Sequence, residues 1–107
     1  MKTLKFQASL VPLVLSGEKD STWRLFDDKD LQTGDNLMLV NKDTGEQFAE
    51  AILISVREKK LGELQDTDWE GHERYESEEK MYEAYRGYYG DRVTPDSVVK
   101  IIKFKLA

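Results

Sequence analysis

The 107-residue chain carries 16 Lys and Arg against 21 Asp and Glu, a formal net charge of −5, with one histidine and no cysteine. That length suits one domain, 1–107, with one core and is too short to divide into two. Disulfide scaffolds, thiol nucleophiles, cysteine-ligated zinc and a multi-histidine metal centre are excluded, and the dispersed negative charge opposes sequence-blind binding to long nucleic acid.

In chain order, Leu4, Phe6 and Ala8 alternate with polar residues, as in a half-buried strand. Ser9 as N-cap and Pro12 in the first turn predict a short helix, ended by Gly17. Its apolar run, residues 10–15, is less than half the roughly 20 residues of a membrane span, so neither signal peptide nor anchor is expected and a cytoplasmic location is. Residues 22–26 form a second extended run. The polar residues 27–35 end in the turn Thr33-Gly34-Asp35 before a strand over 36–40.

Residues 41–46 read as a hairpin loop into a long strand, 48–56, apolar on both faces: Ala49, Ala51 and Leu53 on one, Ile52, Ile54 and Val56 on the other. That pattern predicts burial on both sides, within a closed or covered sheet. Residues 61–76 are polar, with Trp69 as the only large apolar anchor. Ser77 is the expected N-cap of a helix opened by Glu78 and Glu79, with Met81, Ala84, Tyr85 and Tyr88 on one face and Gly90 at its end. Thr94-Pro95-Asp96-Ser97 turns into the last strand, whose Lys100, Lys103 and Lys105, joined by Lys2 and Lys5 if the terminal strands are neighbours, form either a solvated face or a set of phosphate contacts. Five strands, two helices and no βαβ alternation predict an α+β, mostly β fold: a small, mostly antiparallel barrel covered by helices.

In a strand beginning near Thr22, Thr22 and Arg24 point one way and Trp23 and Leu25 the other. The apolar pair is the natural core face, so Thr22 and Arg24 look outward or into a cleft, and the tight connection Gly17-Glu18-Lys19-Asp20-Ser21 can carry Lys19 back toward them.

The run Val14-Leu15-Ser16-Gly17-Glu18-Lys19-Asp20-Ser21-Thr22-Trp23-Arg24, the later Leu31-Gln32-Thr33-Gly34-Asp35, and Gly71-His72-Glu73-Arg74 before a Tyr-rich helix together resemble the ASCH domain, a branch of the PUA-like superfamily. The resemblance covers most of the chain and implies a PUA-like β-barrel of about five to six strands with two helices, and a cleft that binds RNA or nucleotides. Some small bacterial members remove the acetyl group of N4-acetylcytidine with a lysine, a threonine and a glutamate. Their Gly-x-Lys-x-x-Thr pattern falls on Lys19 and Thr22, their arginine on Arg24 and their glutamate on Glu73. The chain departs from them at Trp23, where they carry a smaller aliphatic residue, at Glu18 and Asp20, and in the loop before Gly71, which bears on the substrate more than on the fold. Ser21, Trp69 and Tyr75 complete the expected ligand-binding set, the two aromatics as base-stacking surfaces flanking that loop.

A threonine hydroxyl attacks an amide only if a neighbour takes its proton, and a lysine does so only when neutral. Burial and Arg24 would lower the Lys19 pKa, whereas an anionic Glu73 would raise it. A working triad therefore predicts Glu73 protonated or set apart from Lys19, where it protonates the leaving nitrogen. The plainer alternative is a Lys19–Glu73 salt bridge in a polar cleft. His72 is expected to face solvent or to cap. Three readings follow: an RNA- or nucleoside-binding domain that hydrolyses an acylated cytidine amide, a small metal-independent ribonuclease, and a non-catalytic RNA-binding or protein-interaction module. No cofactor, metal, membrane or DNA partner is expected.

Overall fold

Residues 1–27 and 29–107 are described by the structure, a computed structural model; Asp28, in the polar stretch after the second strand, lies outside them. The strands are β1 (Lys2–Phe6), β2 (Ser21–Leu25), β3 (Asn36–Asn41), β4 (Gln47–Lys60) and β5 (Val98–Leu106), and the helices α1 (Val11–Ser16) and α2 (Glu78–Tyr89). They form one sheet in the order β1-β3-β4-β5-β2, with β1 parallel to β3 and every other pair antiparallel. The right-handed twist of the strands curls it into a half-barrel, an α+β, mostly β fold of PUA-like form.

Two cores lie on the two faces of this sheet. Inside the curl, Leu4, Phe6, Leu37, Leu39, Ala51, Leu53, Ile102 and Phe104 pack together, and α1 plugs one end with Val14. Outside, Trp23, Leu25, Val99 and Ile101 pack under Met81, Tyr82 and Tyr85 of α2. The strand buried on both faces is therefore β5, not β4: Ile52 and Ile54 are 41% and 43% exposed. The physical reason is reach, because α2 covers the β5–β2 side of the outer face and stops short of the middle of β4.

Local chemistry accounts for most boundaries. Gly17, at φ 86°, ends α1 in the left-handed region that glycine tolerates. Ser9 is not its cap: residues 8–10 already turn as a 3₁₀ segment, and Leu10 stands at the N-cap position. Phe26, at φ 54°, ends β2 one residue before the predicted limit. Ser77 caps α2, its hydroxyl accepting the Lys80 N–H at 3.2 Å. The buried stripe of that helix is Met81, Tyr82 and Tyr85, while Tyr88 is 52% exposed, because the last turn overhangs the open mouth of the half-barrel.

Residues 61–76 hold more anchors than Trp69. Leu61 is fully enclosed, and the buried Asp68 carboxylate takes Lys59 Nζ at 2.7 Å, Arg57 Nη2 at 2.9 Å and the Gln65 N–H at 2.9 Å. The predicted lysine surface does not form. Strands β1 and β5 are separated by β3 and β4, so Lys2 and Lys5 do not join it. Lys100 shares the face of Ile102, opposite Lys103 and Lys105, and donates to the Lys29 carbonyl at 2.9 Å. No helix among the described residues is long and apolar enough to cross a membrane.

Candidate functional site

The site forms where β2 leaves α1. The Lys19 N–H donates to the Leu13 carbonyl at 3.0 Å, and the Gly71 carbonyl accepts from the N–H groups of Asp20 and Ser21 at 3.0 and 3.1 Å. Gly71 sits at φ 73°, and a Cβ there would overlap the Asp20 carboxylate. Only glycine allows this close approach. The joint docks residues 71–73 against residues 19–22 and brings Lys19 to Glu73, 54 residues away in the chain.

Lys19 is 3% exposed. Its Nζ donates to the Ser21 carbonyl at 2.8 Å and to Glu73 Oε2 at 2.5 Å. Burial pushes this amine below the usual lysine range; Glu73 resists the shift and Arg24 adds to it. For Glu73, burial alone would raise the carboxyl, but the charges of His72, where protonated, and of Lys19 outweigh it and hold the group below the usual carboxylate range. The resting arrangement is thus an ion pair, not a protonated or distant Glu73.

His72 neither faces solvent nor caps. It is 7% exposed and stacks on Trp23, with ring centroids 3.9 Å apart and planes at 19°. Burial and the neighbouring cations Lys19 and Arg24 push it down to about 4 against the pull of Glu73, so it is neutral at pH 7. Its Nδ1 lies 2.7 Å from the Glu73 carbonyl, which can only accept, so that nitrogen carries the proton. Nε2 is then the acceptor, facing the Tyr85 hydroxyl at 3.4 Å. Burial raises the Tyr85 pKa and keeps the phenol protonated.

A cleft of about 150 Å³ opens onto this chain of groups, between α2 and the β1–β2 seam, and Thr22, Arg24, His72, Glu73, Tyr85, Tyr88 and Tyr89 line it together with Lys5, Gln7 and Lys42. Arg24 bridges the two edge strands, its Nη2 donating to the Lys5 carbonyl at 2.7 Å. Lys19 stands behind Glu73, outside that lining. Ser21 contributes backbone only; its side chain is buried away from the cleft. Trp69 and Tyr75 are not brought in either: Trp69 packs edge-on to Trp23 at 4.5 Å, and both line a separate groove under the start of α2. Their place as cleft aromatics is taken by Tyr85, Tyr88 and Tyr89, which the sequence presents as core residues of a helix. Among the described residues no three His, Asp or Glu side chains converge as metal ligands.

A curled five-stranded sheet with a plug helix, a covering helix and a cleft at its seam is the PUA-like architecture. Within that class the fold is that of the ASCH domains. An ASCH domain from Lactobacillus crispatus JV V101 is similar with a TM-score of 0.76 at 19% identity, over 98% of this chain and 78% of that one. A protein from Enterococcus faecalis V583 gives 0.71 at 17%, over 92% and 70%. ASCH from Zymomonas mobilis gives 0.69 at 10%, over 96% of this chain and 65% of that one. The chain matches no protein-family model and no curated protein.

Proposed function

We propose that this domain binds a nucleoside, free or within single-stranded RNA, in the cleft walled by Thr22, Arg24, Glu73 and the tyrosines, and that it hydrolyses an acylated exocyclic amide of cytosine there. The observation that carries the reading is the buried Lys19, held at 2.5 Å from Glu73, a carboxylate that lines the cleft together with Thr22. Burying a lysine is costly unless it is paired, and a lysine pushed toward neutrality is an available base.

In this reaction the Lys19 proton passes to Glu73, which leaves a neutral amine next to the start of β2. The Thr22 hydroxyl gives its proton to that amine and attacks the acyl carbon. Arg24 holds the carbonyl oxygen as it gains charge. Glu73 protonates the leaving cytosine nitrogen as the C–N bond breaks. Water then attacks the Thr22 ester, releasing the carboxylic acid and restoring the hydroxyl. The neutral His72 fixes Glu73 by bonding its backbone carbonyl.

Acetate release from N4-acetylcytidine is the direct test. Turnover by the parent, and its loss in Thr22→Ala and Lys19→Ala, is expected. No turnover by the parent, or equal turnover by both variants, would refute hydrolysis and leave a binding domain, to be read from cytidine affinity.

A further inference from the structure

The mouth of the cleft has a sign of charge opposite to that of the chain. Three cations from three different strand ends line it: Lys5 at the end of β1, Arg24 in β2 and Lys42 directly after β3. The carboxylate among the lining residues is Glu73, already engaged by Lys19. In a protein of net charge −5 this is a local reversal, and a low-dielectric cleft lined by one sign focuses the field onto an incoming anion.

The Arg24 guanidinium and the backbone that carries the two lysines are also held in place. The Arg24 guanidinium donates to the Lys5 carbonyl at 2.7 Å and lies 5.2 Å over the Phe6 ring, and the Lys42 N–H donates to the Phe6 carbonyl at 2.7 Å. The end of β1 is thereby clamped between β2 and the turn after β3. Arg24 has five N–H donors, of which that carbonyl takes one. The ammonium groups of Lys5 and Lys42 enter no ion pair among the described residues.

Exposure sets what lies at this mouth. The cleft is open to solvent, with Thr22 and His72 buried at its base and Lys5 and Lys42 exposed at its rim. A base seated against the buried residues directs its sugar, and whatever that carries, toward Lys5 and Lys42. Resting on the reading of the cleft as a nucleoside site, we infer that Lys5 and Lys42, at the β1 end that Arg24 clamps, form a phosphate subsite, so that the ligand is a phosphorylated nucleoside rather than a free one. The phosphate comes either from a mononucleotide or from the backbone of a single-stranded RNA.

Calorimetric titration at low salt with cytidine, cytidine 5′-monophosphate and a cytidine trinucleotide tests this. The monophosphate binds at least about tenfold tighter than cytidine, and added salt shrinks the advantage. In the Lys5→Ala/Lys42→Ala double variant the ratio collapses to within about twofold. A trinucleotide tighter than the monophosphate assigns the phosphate to an RNA strand, and parity assigns it to a nucleotide. Equal binding of cytidine and its monophosphate by the parent, or a preference that survives the double substitution, overturns the subsite alone. Failure of all three to bind overturns the nucleoside reading of the cleft as well.

Discussion

Two buried charges, Asp68 and Lys19, meet the cost of burial in different ways. Asp68 has one oxygen hydrogen-bonded by Lys59 and by a backbone N–H and the other in ionic contact with Arg57 at 2.9 Å. Burial works against its charge, but Lys59, Gln65 and Arg57 outweigh it and hold the carboxyl below the usual range. Lys19 has one carboxylate and one carbonyl, and its amine is pushed away from its charged form. A charge outweighed by two opposite ones is a fixture of the fold, whereas one paired once and pushed toward neutrality is a charge the protein can move. The two are linked, because Asp68 ties residues 65–68 to β4 and so positions the segment that delivers His72 and Glu73 to the cleft.

Disabling the two sites one at a time should separate rate from stability. Lys19→Met should lower acetate release by about 10²- to 10⁴-fold, the range for losing a general base. Its unfolding free energy in urea should stay within about 1 kcal/mol of the parent, since a buried ammonium is replaced by an apolar chain of similar shape and Glu73 still reaches water. A loss of stability as large as the loss of rate would make Lys19 a fixture like Asp68.

Asp68→Ala should do the reverse. Removing one partner of a buried ion pair costs about 3 to 5 kcal/mol, and the lower end applies because Arg57 and Lys59 are partly solvated. The sign with pH follows from the depressed carboxyl. Its contribution is present above the unfolded value near 3.9 and disappears as pH falls through the folded one, so parent and variant should converge in acid. A difference that persists undiminished in strong acid would contradict the ionic role.

His72 contributes a smaller effect, spread over pH. Its folded pKa, about 4, lies below the ordinary 6.5, so between those values the unfolded chain binds more protons and stability falls as pH drops. The full loss is about 3 kcal/mol. His72→Gln should flatten the slope of stability between pH 6.5 and 4; an unchanged slope would assign it to other groups.

Much of this was readable in the chain, for physical reasons that differ by region. The order of elements followed from alternation, from glycines at helix ends and from the Ser77 cap, which are local properties. Lys19, Thr22 and Arg24 stood out because a turn of fixed length carries them together. His72 did not, because its burial depends on Trp23, a residue from the other end of the fold that only the Gly71 joint brings near. The exchange of Trp69 and Tyr75 for Tyr88 and Tyr89 in the cleft depends on where α2 overhangs the sheet, which periodicity does not encode. The exposure of Ile52 and Ile54 has the same cause. The division of Lys100 from Lys103 and Lys105, by contrast, lay in the sequence all along, since residues three apart in a strand face opposite sides.

What matters most is that the buried Lys19 amine gives up its proton more readily than an ordinary lysine. Carbon-13 labelling at lysine Cε and NMR titration from neutral to strongly alkaline pH measures it directly. One lysine, assigned through Lys19→Met, should titrate below the others and move lower still in Glu73→Gln, where the carboxylate that raises it is gone. A Lys19 signal that titrates with the surface lysines near 10.4 would contradict it.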